Sequence, residues 1–264
     1  MSVKALVRRN LNRALQPTGF EINRVGTEET AHWRTMFYDV EPWVEQIIEK
    51  VRPFTLTSRE RVSALCHAVR YVARSRIPGD IVECGVWKGG STMAAAMTLL
   101  GEGDRSRELY LFDTFEGMTP PSEFDRRAED GAQASTILEN AKASDLIWAN
   151  APLDDVRANL ALTGYPAERL HFVKGRVEDT LPGEAPGAIS ILRLDTDWYE
   201  STRHELFHLY PRLSVGGVLI IDDYGGWEGA RKAVDEYITD NRLPVLLQRI
   251  DQTGRVVVKT GTLP

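Results

Sequence analysis

Apolar residues follow two different spacings along this chain, and each spacing predicts a different kind of element. Between Val62 and Val72 they recur every three or four positions, as on one face of a helix. The run Asp80–Cys84 that follows is short and mostly apolar, which is typical of a buried strand. Helical and strand-like stretches then continue to alternate, so the chain predicts a repeated succession of α and β elements.

Five short apolar runs predict strands. They are Asp80–Cys84, residues 108–112, Leu170–Lys174, Ile189–Leu194 and residues 218–221. Residues 245–250 and 256–259 flank a turn-like stretch, 251–254, and predict a terminal hairpin. Alternation of this kind predicts an α/β fold with a doubly wound, mostly parallel, seven-stranded Rossmann-like sheet and an antiparallel C-terminal strand.

Two regions fall outside this alternation. Residues 1–56 predict an N-terminal helical extension, and residues 57–264 predict the main domain. The basic, weakly amphipathic first 26 residues suggest a docking or oligomer-contact helix, so we expect a homo-oligomer. Residues 118–150 are polar and too long for an ordinary connection, which predicts a lid or a set of local helices.

The spacing of hydroxyl and acidic residues predicts two helix starts. Thr57 and Glu60 are three positions apart, as in a capping box, and so are Thr202 and Glu205. We therefore expect one helix to begin near residue 57 and another near residue 202.

Composition and charge argue against several classes of protein, among them nucleic-acid-binding, disulfide-rich and membrane-spanning proteins. The net charge of −6 and the pI near 5.5 argue against nucleic acid as a partner. The two cysteines, Cys66 and Cys84, lie in apolar segments and are expected to be buried thiols of a reducing compartment. No signal peptide and no run of about 20 apolar residues is found, so we expect a cytoplasmic protein without a membrane span.

A glycine-rich loop, Gly85-x-x-x-Gly89-Gly90, follows the first predicted strand. Trp87 occupies the position where a dinucleotide-binding fingerprint needs glycine. The loop is therefore not expected to bind a pyrophosphate, which argues against a nicotinamide-dependent oxidoreductase. The remaining possibility is a nucleoside-type ligand without a pyrophosphate. Asp113, at the end of the second strand, would accept hydrogen bonds from the ribose hydroxyls of this ligand. The alternative is that the glycines only form a tight turn.

Four carboxylates follow two predicted strands. Asp195 and Asp197 come after the fourth strand, and Asp222 and Asp223 after the fifth. If the strands are parallel neighbours, these groups meet at one rim, where a hard cation such as magnesium, calcium or manganese would hold them together. If the strand continued to residue 197, Asp195 and Asp197 would share one face. Arg193, within the strand, needs a carboxylate partner if buried.

Four motifs together resemble the macrolide and aminocoumarin sugar O-methyltransferases. They are residues 77–90 (IPGDIVECGVWKGG), 112–117 (FDTFEG), 192–202 (LRLDTDWYEST) and 216–224 (GGVLIIDDY). The resemblance covers about residues 57–258 and implies a class I methyltransferase that uses S-adenosylmethionine and Mg²⁺. The site residues it implies are the metal ligands Asp195, Asp222 and Asp223, the base Asp197, and the cofactor contacts Glu83, Gly85, Ser91 and Asp113, with a weaker match at Gly175 and Val177.

The sequence thus predicts Mg-dependent methyl transfer to a sugar hydroxyl of a glycosylated natural product or glycan, with a small-molecule glycoside as acceptor. Two alternatives stay open: an O-methyltransferase of another diol, such as a catechol, and an S-adenosylmethionine-binding module without catalysis. The segment 118–150 and the N-terminal extension depart most from the family pattern, so the acceptor is not predicted.

Overall fold

A computed structural model describes residues 39–142 and 145–261 of the chain. The described residues contain one sheet of seven strands in the order β3-β2-β1-β4-β5-β7-β6. The strands are β1 Asp80–Cys84, β2 Leu109–Asp113, β3 Leu170–Lys174, β4 Ile189–Leu194, β5 Leu213–Ile221, β6 Gln248–Arg249 and β7 Arg255–Val258. β1 to β5 pair in parallel, whereas β7 is antiparallel to β5 and β6 is antiparallel to β7. The predicted fold class is confirmed.

Helices connect the strands and contribute to the core. They are α1 Pro42–Val51, α2 Arg59–Arg74, α3 Gly90–Gly101, α4 Ala134–Asn140, α5 Leu153–Ala161, α6 Val177–Thr180, α7 Tyr199–Leu209 and α8 Glu228–Asp240. Residues from Pro42 onwards form one compact unit; of the unit before it, only residues 39–41 are described. The predicted basic helix at the N-terminus lies outside the described residues. No helix in the described part of the chain is both long and apolar enough to cross a membrane.

The central strands are buried because they are nearly continuous apolar runs. Every residue of β4 is buried, and β1 is buried from Ile81 to Cys84. A strand covered by helices on both faces needs this composition. The pairing of Leu194 with Ile221 aligns the ends of β4 and β5, so the residues that follow these strands meet at one rim. Cys66 and Cys84 are buried free thiols, as predicted.

Both predicted capping boxes are wrong in detail. Helix α2 begins after Ser58, whose hydroxyl accepts the backbone N–H of Arg61 at 3.2 Å. Helix α7 begins at Tyr199, because the distant carboxylate of Asp125 accepts the Tyr199 N–H at 2.8 Å and caps the helix there. Glu205 is buried inside this helix and accepts the Thr196 hydroxyl at 3.0 Å.

The segment 118–150 contains local structure where it is described. It includes α4 and a 3₁₀ turn at Leu146–Trp148, and a small apolar cluster joins Ala134 and Leu138 to Trp198 and Trp227. The Trp198 indole N–H also donates to the carbonyl of Thr119 at 2.9 Å. These contacts attach the segment to α7 and α8, next to the rim where the carboxylates lie.

Candidate active site

A cavity of about 470 Å³ opens at the carboxyl ends of β1, β2, β4 and β5. This edge of a parallel sheet is where open α/β folds bind ligands. The glycine loop lies on one side of the cavity and the four carboxylates lie on another. The glycine loop and the acidic group that the sequence singled out therefore line the same cavity.

At Gly85, the glycine loop lies very close to the backbone of Asp195, the residue that follows β4. The φ of Gly85, 79°, is in the left-handed region, and a Cβ atom built there would lie 1.9 Å from the carbonyl oxygen of Asp195. Only glycine fits this position without movement of the backbone. The glycine loop therefore directly contacts the start of the carboxylate rim.

Asp113 holds the glycine loop from the end of β2. Its Oδ2 accepts the N–H groups of Val86 at 2.6 Å and Trp87 at 3.1 Å, and its Oδ1 accepts the N–H of Phe115 at 2.7 Å. Trp87 adopts a left-handed φ of 47°. This turn lets two successive N–H groups converge on one carboxylate, as in a backbone nest. Oδ2 is thus filled by two donors, whereas Oδ1, with the single backbone donor Phe115, can accept a further hydrogen bond from a ligand.

Three carboxylates form a compact group at the rim. Ligand oxygens of Asp195, Asp222 and Asp223 all lie within 4.8 Å of one another. Asp197 joins them through a left-handed turn with φ of 64°, which Asp tolerates better than most residues, and its N–H donates to Asp223 Oδ2 at 3.2 Å. The strand geometry therefore does not continue to residue 197, so the condition under which Asp195 and Asp197 would share a strand face is not met. The turn places Asp197 beside the other three.

Burial, together with neighbouring carboxylates, raises the pKa of Asp197, Asp222 and Asp223. Burial and the charge of Asp195 raise the pKa of Asp197 to about 7, while a hydrogen bond from the Trp227 side chain opposes the rise. Burial also raises the pKa of Asp222 to about 6, against the attraction of Arg193. Burial and the charge of Asp197 raise the pKa of Asp223 well above its ordinary value. Oxygen ligands at this spacing fit a hard divalent cation, which would relieve the repulsion.

Arg193 is the buried cation beneath the rim. It donates to Glu83 Oε1 at 2.6 Å, to Asp195 Oδ2 at 2.7 Å and to Asp222 Oδ1. It also donates to the hydroxyl of Thr57 at 2.9 Å. The predicted carboxylate partner of Arg193 is thus a set of three, two of which belong to the acidic group.

Comparison with known proteins agrees with this arrangement. The model of the macrocin-O-methyltransferase (TylF) family matches residues 33–259. The chain belongs to this family. It is 35% identical, over 84% of its length and 83% of the relative, to the 8-demethyl-8-(2,3-dimethoxy-alpha-L-rhamnosyl)-tetracenomycin-C 4'-O-methyltransferase of Streptomyces olivaceus. It is 29% identical to the demethyldecarbamoylnovobiocin O-methyltransferase of Streptomyces niveus, over 86% of each chain.

A solved structure supports the same assignment. The O-methyltransferase NovP superposes with a TM-score of 0.68 at 30% identity, covering 79% of this chain and 83% of that one. The predicted resemblance to sugar O-methyltransferases is confirmed at the level of the family, and the protein is an O-methyltransferase.

Most of the residues that the family resemblance implied line the cavity of this TylF-family chain. On the glycine-loop side these are Gly85, Ser91 and Asp113, and the turn after β3 adds Gly175 and Val177. All four rim carboxylates line it as well. Glu83 does not: its carboxylate lies beneath the loop, where it accepts from Arg193 and from the hydroxyl of Thr92.

No pattern in the sequence indicated that Arg61, Asp125 and Asp251 would lie at or beside this site. Arg61, in the first turn of α2, lines the cavity and pairs with Asp222 and, at 2.9 Å, with Asp251. Asp125 is fully buried beneath α7. Each of these contacts joins residues far apart in the chain, and neither periodicity nor motif spacing encodes such pairs.

Two exposed leucines are among the residues at the mouth of the cavity. Leu56 follows α1 and is 55% exposed, and Leu146, in the 3₁₀ turn, is 64% exposed. Met118 and Ile147 line the cavity near Leu146. Exposed leucines at the entrance of a polar site offer an apolar surface to a ligand that enters it.

Proposed function

We propose that this TylF-family enzyme transfers a methyl group from S-adenosylmethionine to a sugar hydroxyl of a small-molecule glycoside, with Mg²⁺ held by Asp195, Asp222 and Asp223. The observation that carries the proposal is the meeting of three carboxylates within 4.8 Å beside a glycine loop in one cavity. Relatives named for O-methylation of a rhamnosyl tetracenomycin and of demethyldecarbamoylnovobiocin support a related acceptor.

The cofactor would lie on the glycine-loop side. S-adenosylmethionine supplies a methyl group activated by a positively charged sulfur. Gly85 leaves room for close approach to the backbone, and Asp113 would accept hydrogen bonds from the ribose while it holds the loop. Ser91, Gly175 and Val177 complete the walls of this side. We assign Glu83 an indirect role through Arg193, because its carboxylate is engaged beneath the loop.

The acceptor would lie at the rim. A divalent cation supplies positive charge next to the acceptor hydroxyl and lowers the pKa of that hydroxyl. Asp195, Asp222 and Asp223 offer it only oxygen ligands, which suits Mg²⁺. Arg193 fixes two of these carboxylates from below and so keeps the rim in place before a ligand arrives.

Asp197 is the proposed general base. It lies beside the three proposed ligands, and burial raises its pKa above the ordinary value of an aspartate, which makes it a better proton acceptor. Asp197 would accept the proton of the acceptor hydroxyl, and the hydroxyl oxygen would bond to the methyl carbon as the bond from that carbon to sulfur breaks. The products would be a methyl ether, S-adenosylhomocysteine and protonated Asp197, which would return the proton to solvent.

The cavity mouth favours an acceptor with an apolar portion beside its sugar. Leu56 and Leu146 would contact that portion, and residues 118–150 would form the acceptor side of the site and close over it. That the protein forms a homo-oligomer remains a prediction, which rests on the sequence alone.

The experiment is an assay with methyl-deuterated S-adenosylmethionine and a panel of glycosides, sugars and catechols, read by product mass. We expect labelled product from a glycoside, and none after EDTA treatment until Mg²⁺ is restored. Product from catechols alone would favour the diol hypothesis. S-adenosylhomocysteine binding without any product would favour a binding module. Full activity in EDTA would remove the metal from the proposal.

A further inference from the structure

The carboxylate of Asp222 is held by two arginines at once. Arg193 donates to its Oδ1, and Arg61 donates to its Oδ2. Asp222 is also one of the three carboxylates whose ligand oxygens lie within 4.8 Å of one another. A guanidinium therefore lies beside the group of oxygens that would bind the cation.

The two arginines differ in how firmly they are held. The Arg193 side chain is 3% exposed and has four partners around it, including Glu83 on the neighbouring strand. The Arg61 side chain is 15% exposed and lines the cavity. Arg193 is part of the interior, whereas Arg61 reaches the rim from the first turn of α2.

Arg61 has a second carboxylate within reach. Its Nε lies 2.9 Å from Asp251 Oδ2, in the turn between β6 and β7. Asp251 is itself fixed, because its Oδ1 accepts the N–H groups of Thr253 at 3.0 Å and Gly254 at 2.7 Å, and Oδ2 accepts the Ser58 hydroxyl at 2.5 Å. Arg61 can therefore move away from Asp222 and still keep its ion pair with Asp251.

We propose that Arg61 and the divalent cation compete for Asp222. While the metal is absent, Arg61 compensates part of the negative charge of the rim carboxylates. When the metal binds, Arg61 leaves Asp222 and pairs with Asp251 alone. This inference rests on the proposed metal site. It makes Arg61 a positioning residue that links metal loading to the start of α2 and to the turn at residues 251–254.

Electrostatics supports competition rather than shared binding. A guanidinium repels a divalent ion beside it, because two positive charges a few Å apart in a partly buried site are only weakly screened by solvent. Without any cation, four carboxylates would face one another at the rim. Arg61 relieves part of that repulsion in the metal-free protein at the cost of weaker metal binding.

The competition is tested by measuring Mn²⁺ affinity by calorimetry, without S-adenosylmethionine or acceptor. Arg61→Gln removes the competitor and should bind Mn²⁺ about tenfold more tightly than the wild type. Asp251→Asn removes the second partner of Arg61, so the guanidinium stays on Asp222, and binding should weaken by a few-fold. Arg74→Gln is the matched control: it lies in the last turn of α2, is 60% exposed, and should leave Mn²⁺ affinity unchanged.

A second readout separates competition from a merely structural role. In EDTA, Arg61→Gln should melt below the wild type, since the rim repulsion is unrelieved, and saturating Mn²⁺ should remove the difference. Unchanged or weaker Mn²⁺ binding by Arg61→Gln would overturn the inference while leaving the metal site intact, and so would tighter binding by Asp251→Asn. If no variant and no wild-type sample binds Mn²⁺, the proposed metal site fails, and the inference fails with it.

Discussion

Glu83 and Arg193 occupy the same register position on neighbouring strands, and their side chains form a buried ion pair of 2.6 Å. Because Arg193 also holds Asp195 and Asp222, this pair anchors the acidic rim to the centre of the sheet. A group that the sequence suggested as a cofactor contact thus supports the opposite side of the site.

Replacing Glu83 by Gln should therefore affect stability before it affects cofactor binding. Loss of one charge from the buried network should lower the free energy of unfolding by about 2 kcal/mol. The affinity for S-adenosylhomocysteine should stay within about threefold of the wild type, a change of less than about 1 kcal/mol, because Glu83 does not line the cavity. Glu102→Gln, which weakens the ion pairs of Glu102 with Arg70 and Arg74 near the surface, is the control and should cost less than about 1 kcal/mol. Normal stability with greatly weakened binding would instead assign Glu83 to the cofactor.

Asp113 should be required for cofactor binding. Asp113→Ala removes the acceptor of the Val86 and Trp87 N–H groups together with the proposed ribose contact. We expect a loss of about 2 kcal/mol in S-adenosylhomocysteine binding, roughly 30-fold, measured by calorimetry. Glu116→Gln, an exposed neighbour that pairs with Lys174, should bind as the wild type does. Equal affinity of Asp113→Ala and the wild type would refute the assignment.

Leu146 should influence the acceptor and not the cofactor. Leu146→Asn removes apolar surface at the cavity mouth, so the KM for a glycoside acceptor should rise about tenfold, the effect of losing about one to two kcal/mol of apolar contact. S-adenosylhomocysteine affinity should not change. Leu162→Asn is a control of equal exposure, 68% against 64%, at a residue that does not line the cavity. A similar KM for both variants would argue that the acceptor avoids Leu146.

The raised pKa values of Asp197, about 7, and Asp222, about 6, predict a pH-dependent effect of magnesium. In the unfolded chain these carboxyls lose their protons near pH 4, whereas the metal-free folded protein keeps them to about pH 6–7. The folded state thus binds more protons across this window, and the free energy of unfolding falls as the pH rises through it. The metal needs the deprotonated groups.

Magnesium should consequently raise the Tm more at about pH 8 than at about pH 6. The measurement is thermal unfolding at both values, in Mg²⁺ and in EDTA. The variant Asp223→Asn serves for comparison, and Mg²⁺ should raise its Tm much less than that of the wild type. In EDTA at the higher pH it should melt above the wild type, because one of the repelling negative charges is gone. Equal magnesium shifts at the two pH values would contradict the proposed ligand set.

The sequence could predict what depends on short stretches of chain. Buried parallel strands are continuous apolar runs, so β4 and β5 could be located, and with them the positions of Asp195 and Asp222 at their ends. The start of α7 at Tyr199 could not be predicted, because its cap is Asp125, 74 residues away in the chain. The same holds for Arg61 and Asp222, 161 residues apart, whose contact exists only in the folded protein.

The turn at Asp197 illustrates a different limit. Alternation along an extended strand correctly suggested that Asp197 lies near Asp195, but for the wrong reason, since residue 197 adopts a left-handed conformation. Local backbone geometry at a strand end is decided by tertiary contacts, here the N–H of Asp197 on Asp223. Hydrophobic pattern carries no information about it.

The most direct test of the proposed chemistry is the rate of methyl transfer by Asp197→Asn in a single turnover with saturating S-adenosylmethionine, Mg²⁺ and acceptor. The substitution is nearly isosteric, so the affinities for Mn²⁺ and S-adenosylhomocysteine should stay close to those of the wild type. The rate should fall by roughly 10²–10⁴, the contribution of a general base. A rate near that of the wild type, with both ligands bound normally, would contradict the assignment of Asp197 as the group that accepts the proton.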